Sequence, residues 1–343
     1  MTSTLSPDQT GSSSLPRDIA GWPGQIQPLF ERAITAEYAS LTARGAPLTY
    51  PVTPYLADDS RTLDVSTGLT YPAKAERARR NPKVALLFSD PVGTRLSKPP
   101  VVLVQGLAAV RDTDLQANTD RYLYVSKRKV PEAFAGMPAF LLTRMPWYFV
   151  RIWILVTPLR ILWWPEGNLD RQPEYWEAPQ DIVVPASDPA PPGKAPGSWN
   201  TGSSDWHPGA NFAVQHLGDP VVTLVDEQSF PYPMRVRGAS LNSTGFQFEL
   251  PSGAPVNLYG PACLTFHTHP EKFTSQQNMA FTGRLEPGGS LIVDRQIGDW
   301  SLAGNKLQAT WTFMKNGRKL APRVKDEAQR RGQPVPVIRI PKL

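Results

Sequence analysis

Proline content is the feature that most constrains what this chain can fold into. The sequence has 37 prolines among its 343 residues, about twice the average share of about 5%. Proline has no backbone N–H donor and its ring disrupts helix interiors, so it is excluded from long helices and from central strands. The apolar fraction of 41% is still large enough for a packed core. The sequence therefore predicts a folded, mainly β protein with short strands, many turns and a few short helices.

Charge and cysteine content limit the partners that we expect. The net charge of +6 favours anionic partners, and no nucleic-acid-binding module is recognisable, so we expect a small-molecule partner rather than nucleic acid. Cys263 is the only cysteine, which excludes an intrachain disulfide and a thiolate metal site and favours a cytoplasmic location. Residues 1–26 lack the basic and apolar order of a signal peptide, and we expect them to form a flexible tail.

Residues 147–164, WYFVRIWILVTPLRILWW, are long enough to be tested as a membrane span. Arg151 and Arg160 lie inside this segment, and each central arginine costs about 2.5–3.5 kcal/mol on insertion scales. Apolar residues alternate with Arg151 and Trp153, which is typical of a strand. The segment therefore predicts one strand, a turn at Thr157–Pro158 and a second strand, with no membrane span.

The chain divides into two similar halves. Residues 171–209 are rich in Pro, Gly and Ser and predict a linker between the ranges 27–170 and 210–343. The two halves share four landmarks in order: LTYPVTPYLADDSRTLDVSTG resembles FPYPMRVRGASLNSTGFQFELPSG, KVALLFSD resembles PACLTFHTH, VVLVQGLAAV resembles NMAFTGRLEP, and Gly106 aligns with Gly283. We therefore expect two copies of one β-rich domain, followed by a basic C-terminal segment that forms a solvated helix and tail. Short helices are predicted at Pro28–Ala43, Pro72–Asn81 and Asp114–Arg128.

A basic corner distinguishes the first copy from the second. The first copy contains TYPAKAERARRNP, with Lys74, Arg77, Arg79 and Arg80, where the second copy has the uncharged SGAPVNLYG. Lys74 and Arg77 are three residues apart and therefore share one face of a helix. The hydroxyls of Ser66 and Thr67 end the strand before it, and such groups together bind phosphate. The alternative interpretation is a solvated basic helix.

Taken in order, these features resemble the pyridoxamine 5′-phosphate oxidase-like split β-barrel family. They are a strand that ends in Ser/Thr, a Lys with several Arg, NPKVALLF, a strand with a Gln-Gly pair, and RIWILVTPLRILWW. The resemblance covers residues 30–165 and returns weakly over 212–310. Members of this family are usually homodimers that bind FMN or the deazaflavin F420 between two barrels, and some bind haem. The resemblance implies two split β-barrel domains in tandem, which form a pseudo-dimer within one chain and enclose unequal clefts.

The resemblance also implies roles for individual residues. Lys74 matches the family's recurrent lysine and is the first candidate for the cofactor phosphate, together with Arg77, Ser66, Thr67 and Arg80. Gln105 and Thr53 are candidates for the edge of the cofactor ring, and Trp300 for covering it. His267 and His269 are candidates for active-site polar groups, the alternative being a hydrogen-bonded strand end. Arg235 and Arg237 are weaker candidates for anion contacts in the second copy.

The sequence therefore predicts an FMN-dependent oxidoreductase that acts on an unidentified small molecule. The alternatives are an F420-dependent reductase and a non-catalytic protein that binds flavin or haem. In each case the cofactor carries the chemistry, which agrees with the lack of any recognisable catalytic triad in the sequence. The oligomeric state stays open between a monomer and a homodimer.

Overall fold

A computed structural model describes residues 21–135, 138–197, 202–255, 258–301 and 306–342 of this chain, with the backbone alone over 299–301 and 306–316. Most of the predicted N-terminal tail lies outside these ranges. Among the described residues, no helix combines the length and the apolar character that crossing a membrane requires.

The elements of the first half alternate short helices with an antiparallel sheet. In chain order they are α1 (Gln27–Arg32), β1 (Ala36–Leu41), β2 (Pro47–Val52), β3 (Tyr55–Leu56), β4 (Leu63–Gly68), α2 (Ala73–Arg80), β5 (Lys83–Phe88), β6 (Val101–Arg111), α3 (Leu115–Lys129), α4 (Glu132–Ala135), α5 (Ala139–Leu142), α6 (Pro146–Phe149), β7 (Arg151–Trp164) and β8 (Glu174–Glu177). A single 3-10 turn at Pro165–Gly167 follows β7.

The second half repeats the strands of the first half with fewer helices. Its elements are α7 (His207–His216), β9 (Val221–Val225), β10 (Pro231–Arg235), β11 (Arg237–Leu241), β12 (Gly245–Glu249), β13 (Gly260–Thr268), β14 (Gln277–Glu286), β15 (Ser290–Ser301) and α8 (Lys306–Arg330).

Both sheets have one topology, which confirms the predicted repeat. The strand order is β2-β1-β5-β6-β7-β4-β3 in the first sheet, with β8 added beside β7, and β10-β9-β13-β14-β15-β12-β11 in the second. Adding eight to each strand number of the first order gives the second. The chain therefore consists of two split β-barrels in tandem, as the sequence predicted.

The aligned glycines Gly106 and Gly283 occupy the same place in each barrel. The register between β6 and β7 shifts at Gln105/Gly106, and the register between β14 and β15 shifts at Thr282/Gly283. A Cβ atom at Gly106 would clash with the carbonyl oxygen of Thr157, and one at Gly283 would clash with that of Ile292. Each glycine permits a close approach of two backbones at a bulge, where the sheet bends.

The two barrels pack through strands that are buried on both faces. Tyr38, Leu86 and Val104 point into the first barrel, whereas their neighbours Ala39, Ala85 and Leu87 join the core of the second barrel. Successive residues of a strand point to opposite faces, so β1 and β5 are mostly apolar. The two buried polar side chains of β1 are hydrogen-bonded, Ser40 to Arg77 and Glu37 to Ser89. At the centre of this interface the hydroxyls of Thr49 and Thr223 lie 2.6 Å apart and are hydrogen-bonded.

Two local predictions in the first half need correction. The helix predicted at Pro28–Ala43 ends at Arg32, and the later part of that segment forms β1. Both faces of β1 are buried, and this burial overrides the helical pattern. The turn predicted at Thr157–Pro158 is absent, because β7 is one continuous strand that places Pro158 at the bulge beside Gly106. The predictions for α2 and α3 are confirmed, and Asp114 caps α3 by accepting a hydrogen bond from the Ala117 N–H at 2.8 Å.

The C-terminal helix is not solvated as predicted, because α8 returns to the first barrel. Leu320, Val324 and Ala328 are buried in the core of that barrel. Arg331 is buried as well and pairs with Asp112 at 2.9 Å and with Glu327 at 2.6 Å. The basic residues near the end of α8 therefore serve in part as internal ion pairs.

We expect Gly106→Ala and Gly283→Ala each to lower the free energy of unfolding by about 1–3 kcal/mol, because the added methyl group clashes with the backbone of a neighbouring strand. Urea denaturation measures this change. Gly24→Ala is the matched control, since a Cβ at Gly24 meets nothing within 4 Å. Equal small effects at all three positions would contradict the role of the glycine bulges.

Candidate functional site

A cleft of about 330 Å³ lies between the two barrels, on one side of their interface. The first half contributes β2, the end of β4, the start of α2 and the start of β7. The second half contributes the segment before β14 together with Asn278, Ile297 and Gly298. The volume is at the lower end of the range of about 300–1,000 Å³ that is usual for small-molecule sites.

A cluster of cations lines the first-half side of this cleft: Lys74, Arg77 and Arg151, referred to here as the cation cluster. Among the described residues, none of the three makes an ion pair with a carboxylate. Arg77 donates from Nε to Ser40 Oγ at 3.0 Å, but its buried Nη2 has no acceptor in the described part of the chain. The buried Nε of Arg151 also lacks an acceptor there. Three cations on the wall of one cleft, with no carboxylate partner in the described part of the chain, favour an anionic ligand there.

The charged form of Lys74 is destabilised by its position in the cation cluster. Its ammonium lies 5.2 Å from the centre of the Tyr50 ring. Burial, followed by repulsion from Arg77 and Arg151, lowers the pKa of Lys74 from 10.5 to about 8. A lysine with such a pKa is partly deprotonated near pH 8 and above, and at those pH values it takes up a proton when an anion binds next to it.

Arg151 is held by two tyrosines at the other side of the cluster. Its guanidinium lies 4.2 Å from the Tyr122 ring centre and 5.3 Å from that of Tyr148, and Nη2 donates to the Tyr122 hydroxyl at 2.9 Å. In the sheet, Arg151 pairs with Gly68. A Cβ atom at Gly68 would lie 3.0 Å from Arg151 Nη1, so the glycine after Ser66 and Thr67 leaves room for this side chain.

Burial raises the pKa of several tyrosines of the cleft. Burial and the neighbouring Tyr122, against a lowering by Arg151, raise the pKa of Tyr148 to about 12. Burial also raises the pKa of Tyr71 and of Tyr55. These rings therefore provide apolar faces and hydroxyl groups rather than negative charge.

Five of the predicted cofactor-binding residues line the cleft, namely Lys74, Arg77, Ser66, Thr67 and Thr53. Arg80 is exposed and does not line it. Gln105 lies elsewhere in the interface between the barrels, where Nε2 donates to Asp226 Oδ2 and to the Pro231 carbonyl, both at 2.9 Å. The side chain of Trp300 lies outside the described residues.

The two histidine candidates are buried in the interface and do not line this cleft. His267 Nε2 contacts Glu37 Oε1 at 2.7 Å, and His269 Nε2 lies 3.3 Å from Asp90 Oδ2. The carboxylates belong to the first half and the histidines to the second. These side chains therefore link the two halves.

A second cleft, of about 250 Å³, occupies the equivalent position on the other barrel. Arg235, which stands where the first copy has Thr53, reaches it, but its nitrogens donate to Ser89 Oγ at 3.0 Å, the Asp219 carbonyl at 2.6 Å and Glu37 at 2.9 Å. Two further lining cations, Lys98 and Arg237, pair with Glu166 and Asp170. Because these cations pair within the chain, the second cleft lacks, among its described residues, the unpaired cations of the first.

Sequence reasoning did not single out Arg151 or the tyrosines around it as site residues. Arg151 is an arginine at the start of an otherwise apolar strand, and this unusual placement is the signal that could have identified it. Tyr122 lies on α3, and its ring and hydroxyl contact Arg151.

No model of a known protein family matches this chain, and no curated protein matches it either. Solved structures do resemble part of it. The general stress protein 26 from Bacillus anthracis is 17% identical over 45% of this chain and 95% of its own, with a TM-score of 0.29. An F420 reductase is 22% identical over 41% of this chain and 98% of its own, with a TM-score of 0.30. A putative pyridoxamine 5′-phosphate oxidase from Listeria innocua is 21% identical over 40% of this chain and 92% of its own, with a TM-score of 0.27.

We expect Lys74→Met to be more stable than the wild type at pH 7 by about 1–3 kcal/mol, because the variant no longer buries an ammonium beside two arginines. The pKa of Lys74 is lowered to about 8 in the folded state, so the unfolded state binds more protons between pH 8 and 10.5. The difference in the free energy of unfolding between the wild type and Lys74→Met should therefore become smaller across that range. Thermal unfolding at several pH values measures it.

Lys325→Met is the matched control, since Lys325 is an exposed lysine of α8. A Lys74→Met variant that is less stable than the wild type at pH 7 would contradict this description of the cation cluster.

Proposed function

We propose that the first cleft binds FMN and that the chain is an FMN-dependent oxidoreductase acting on a small molecule. The observation that carries this proposal is the cation cluster, three cations without a carboxylate partner among the described residues, in a cleft between two split barrels. A phosphate monoester has the charge and the acceptor oxygens that such a cluster lacks.

The chemistry of the lining residues fits the two ends of FMN. Lys74, Arg77 and the hydroxyls of Ser66 and Thr67 would hold the phosphate. The aromatic and apolar residues Tyr50, Phe273 and Ile297 supply surfaces for a flat ring, and they come from both halves. The pseudo-dimer is thus required for the site, because neither half supplies all of these groups.

The bound flavin would supply the transfer of electrons or hydride. The chain's own residues bind and orient the ligands. Lys74 and Arg77 fix one end of the cleft, and Arg151 with Tyr122 offers charged and hydroxyl donors near it. The segment that carries Phe273 and Gln276 covers the cleft from the second half and limits the access of water. A protein nucleophile is not part of this proposal.

Haem is a poorer fit to this cleft than a flavin. The described residues that line it include no His, Cys or Met, which are the usual axial ligands of haem iron. F420 also carries a phosphate beside a flat ring system, so it is tested together with FMN.

We expect the purified protein to bind one FMN per chain, and Lys74→Met to weaken binding by about 10- to 100-fold, the usual effect of losing one charged contact to phosphate. Titration followed by flavin absorbance and fluorescence measures both. Arg80→Met is the matched control, because Arg80 belongs to the same helix but is exposed outside the cleft. An equal loss of FMN affinity in Lys74→Met and Arg80→Met, or the binding of two FMN per chain, would contradict the assignment of the phosphate site.

The same samples distinguish an enzyme from a binder. Reduction of the bound flavin by a nicotinamide or a reductase, followed by reoxidation by an added acceptor with turnover, supports the enzyme. A bound flavin that is not reduced under these conditions supports the non-catalytic alternative. Selective binding of F420 would support the same site with a different cofactor.

We further expect FMN affinity to fall as the pH rises above about 8, by up to tenfold for each pH unit. The ammonium of Lys74 must be protonated to contact the phosphate, and its pKa in the free protein is about 8. Binding should then take up a proton, which calorimetry in buffers of different ionisation enthalpy detects. A wild-type affinity that does not change between pH 7 and 10, or a Lys74→Met variant with the same pH dependence, would exclude this role for Lys74.

A further inference from the structure

The segment 269–276 of the second half forms part of the wall of the cleft. Phe273 and Gln276 line the cleft, opposite the cation cluster. Phe273 has a positive φ of 50°, a conformation that a bulky side chain adopts only when its surroundings hold it there. Its N–H donates to the Pro270 carbonyl at 2.8 Å, which closes a tight turn. Contacts with the rest of the protein must therefore fix this segment.

His269 provides those contacts. Its Nδ1 lies 3.0 Å from the same Pro270 carbonyl, and its ring packs edge-on against the Phe273 ring with 5.1 Å between centres. Its Nε2 lies 3.3 Å from Asp90 Oδ2, and Asp90 belongs to the first half. The side chain of His269 thus connects the turn, the aromatic wall and the opposite barrel.

The loop that carries Asp90 packs against the segment 269–276. Asp90 Oδ1 accepts a hydrogen bond from the Val92 N–H at 2.9 Å, which fixes its carboxylate. A Cβ atom at Gly93 would lie 2.9 Å from the Glu271 carbonyl oxygen, so the two loops touch through their backbones.

We propose that His269 and Asp90 are positioning residues that clamp the segment 269–276 across the two barrels and so set the ring-side wall of the cleft. This inference rests on the proposed function only for the identity of the ligand. The clamp itself is a property of the protein without ligand.

The charges around the clamp give it a pH dependence. Asp90 and Glu37 face His269, and His267 and Arg235 are the next charged or titratable neighbours through these carboxylates. Burial alone would lower the pKa of His269, but Asp90, the Pro270 carbonyl and Glu37 together raise it. The ion pair is therefore complete below the ordinary pKa of about 6.5 and is lost as the pH rises through the raised value.

Hydrogen–deuterium exchange of the full chain without cofactor tests the clamp. We expect His269→Phe and Asp90→Asn each to speed exchange of residues 271–277 by about tenfold or more, the result of a local opening, with no change in β13. His216→Phe is the control, since His216 is an exposed histidine of α7. In the wild type, but not in His269→Phe, protection of this segment should fall as the pH is raised from 6 to 9.

The double variant Asp90→Asn/His269→Phe should exchange no faster than His269→Phe, because that single variant already removes the contact with Asp90. Unchanged protection in the single variants, or faster exchange spread through both barrels, would overturn the proposal. FMN binding is measured separately on the same proteins. A wild type that does not bind FMN but shows the local loss of protection in the variants would refute the flavin assignment and leave the clamp intact.

Discussion

The packing of the two barrels against each other is the constraint on which the rest of the structure depends. Ala39 and Ala85 give β1 and β5 a small-residue face that the second barrel covers, while the other face of the same strands forms the core of the first barrel. Burial on both faces makes these strands mostly apolar, and the buried polar side chains of β1, Glu37 and Ser40, are hydrogen-bonded. It also places the end of β4 and the start of α2 opposite strands of the other half, and this placement creates the clefts.

The two clefts differ in the pairing of their cations. In the first, the cation cluster has buried donors that no described carboxylate satisfies. In the second, the donors of Arg235 are taken by Glu37, Ser89 and the Asp219 carbonyl. An unsatisfied buried donor costs stability, whereas a satisfied one is largely neutral. The first copy thus keeps unpaired cations beside a cleft, and the second copy uses its polar groups to join the halves.

The sequence contained enough information for the fold and for one side of the site. The Tyr-Pro strands and the aligned Gly106 and Gly283 identify the repeat because they occupy fixed places in a strand order that both halves share. The spacing of Lys74 and Arg77 identifies one helix face because that geometry is local. Arg151 and the clamp at His269 could not be predicted in the same way. Their partners, Tyr122 for Arg151 and Asp90 for His269, are brought close only by pairing between strands or between barrels that are distant in the sequence.

A crystal structure of the protein with FMN would test the central claim most directly, namely that the cation cluster of the first cleft is a phosphate site. The account predicts density for one FMN per chain, with its phosphate on Lys74 and Arg77 and its ring against Phe273. It predicts no FMN in the second cleft. Phosphate bound at Arg235, or FMN held away from the cation cluster, would contradict the account.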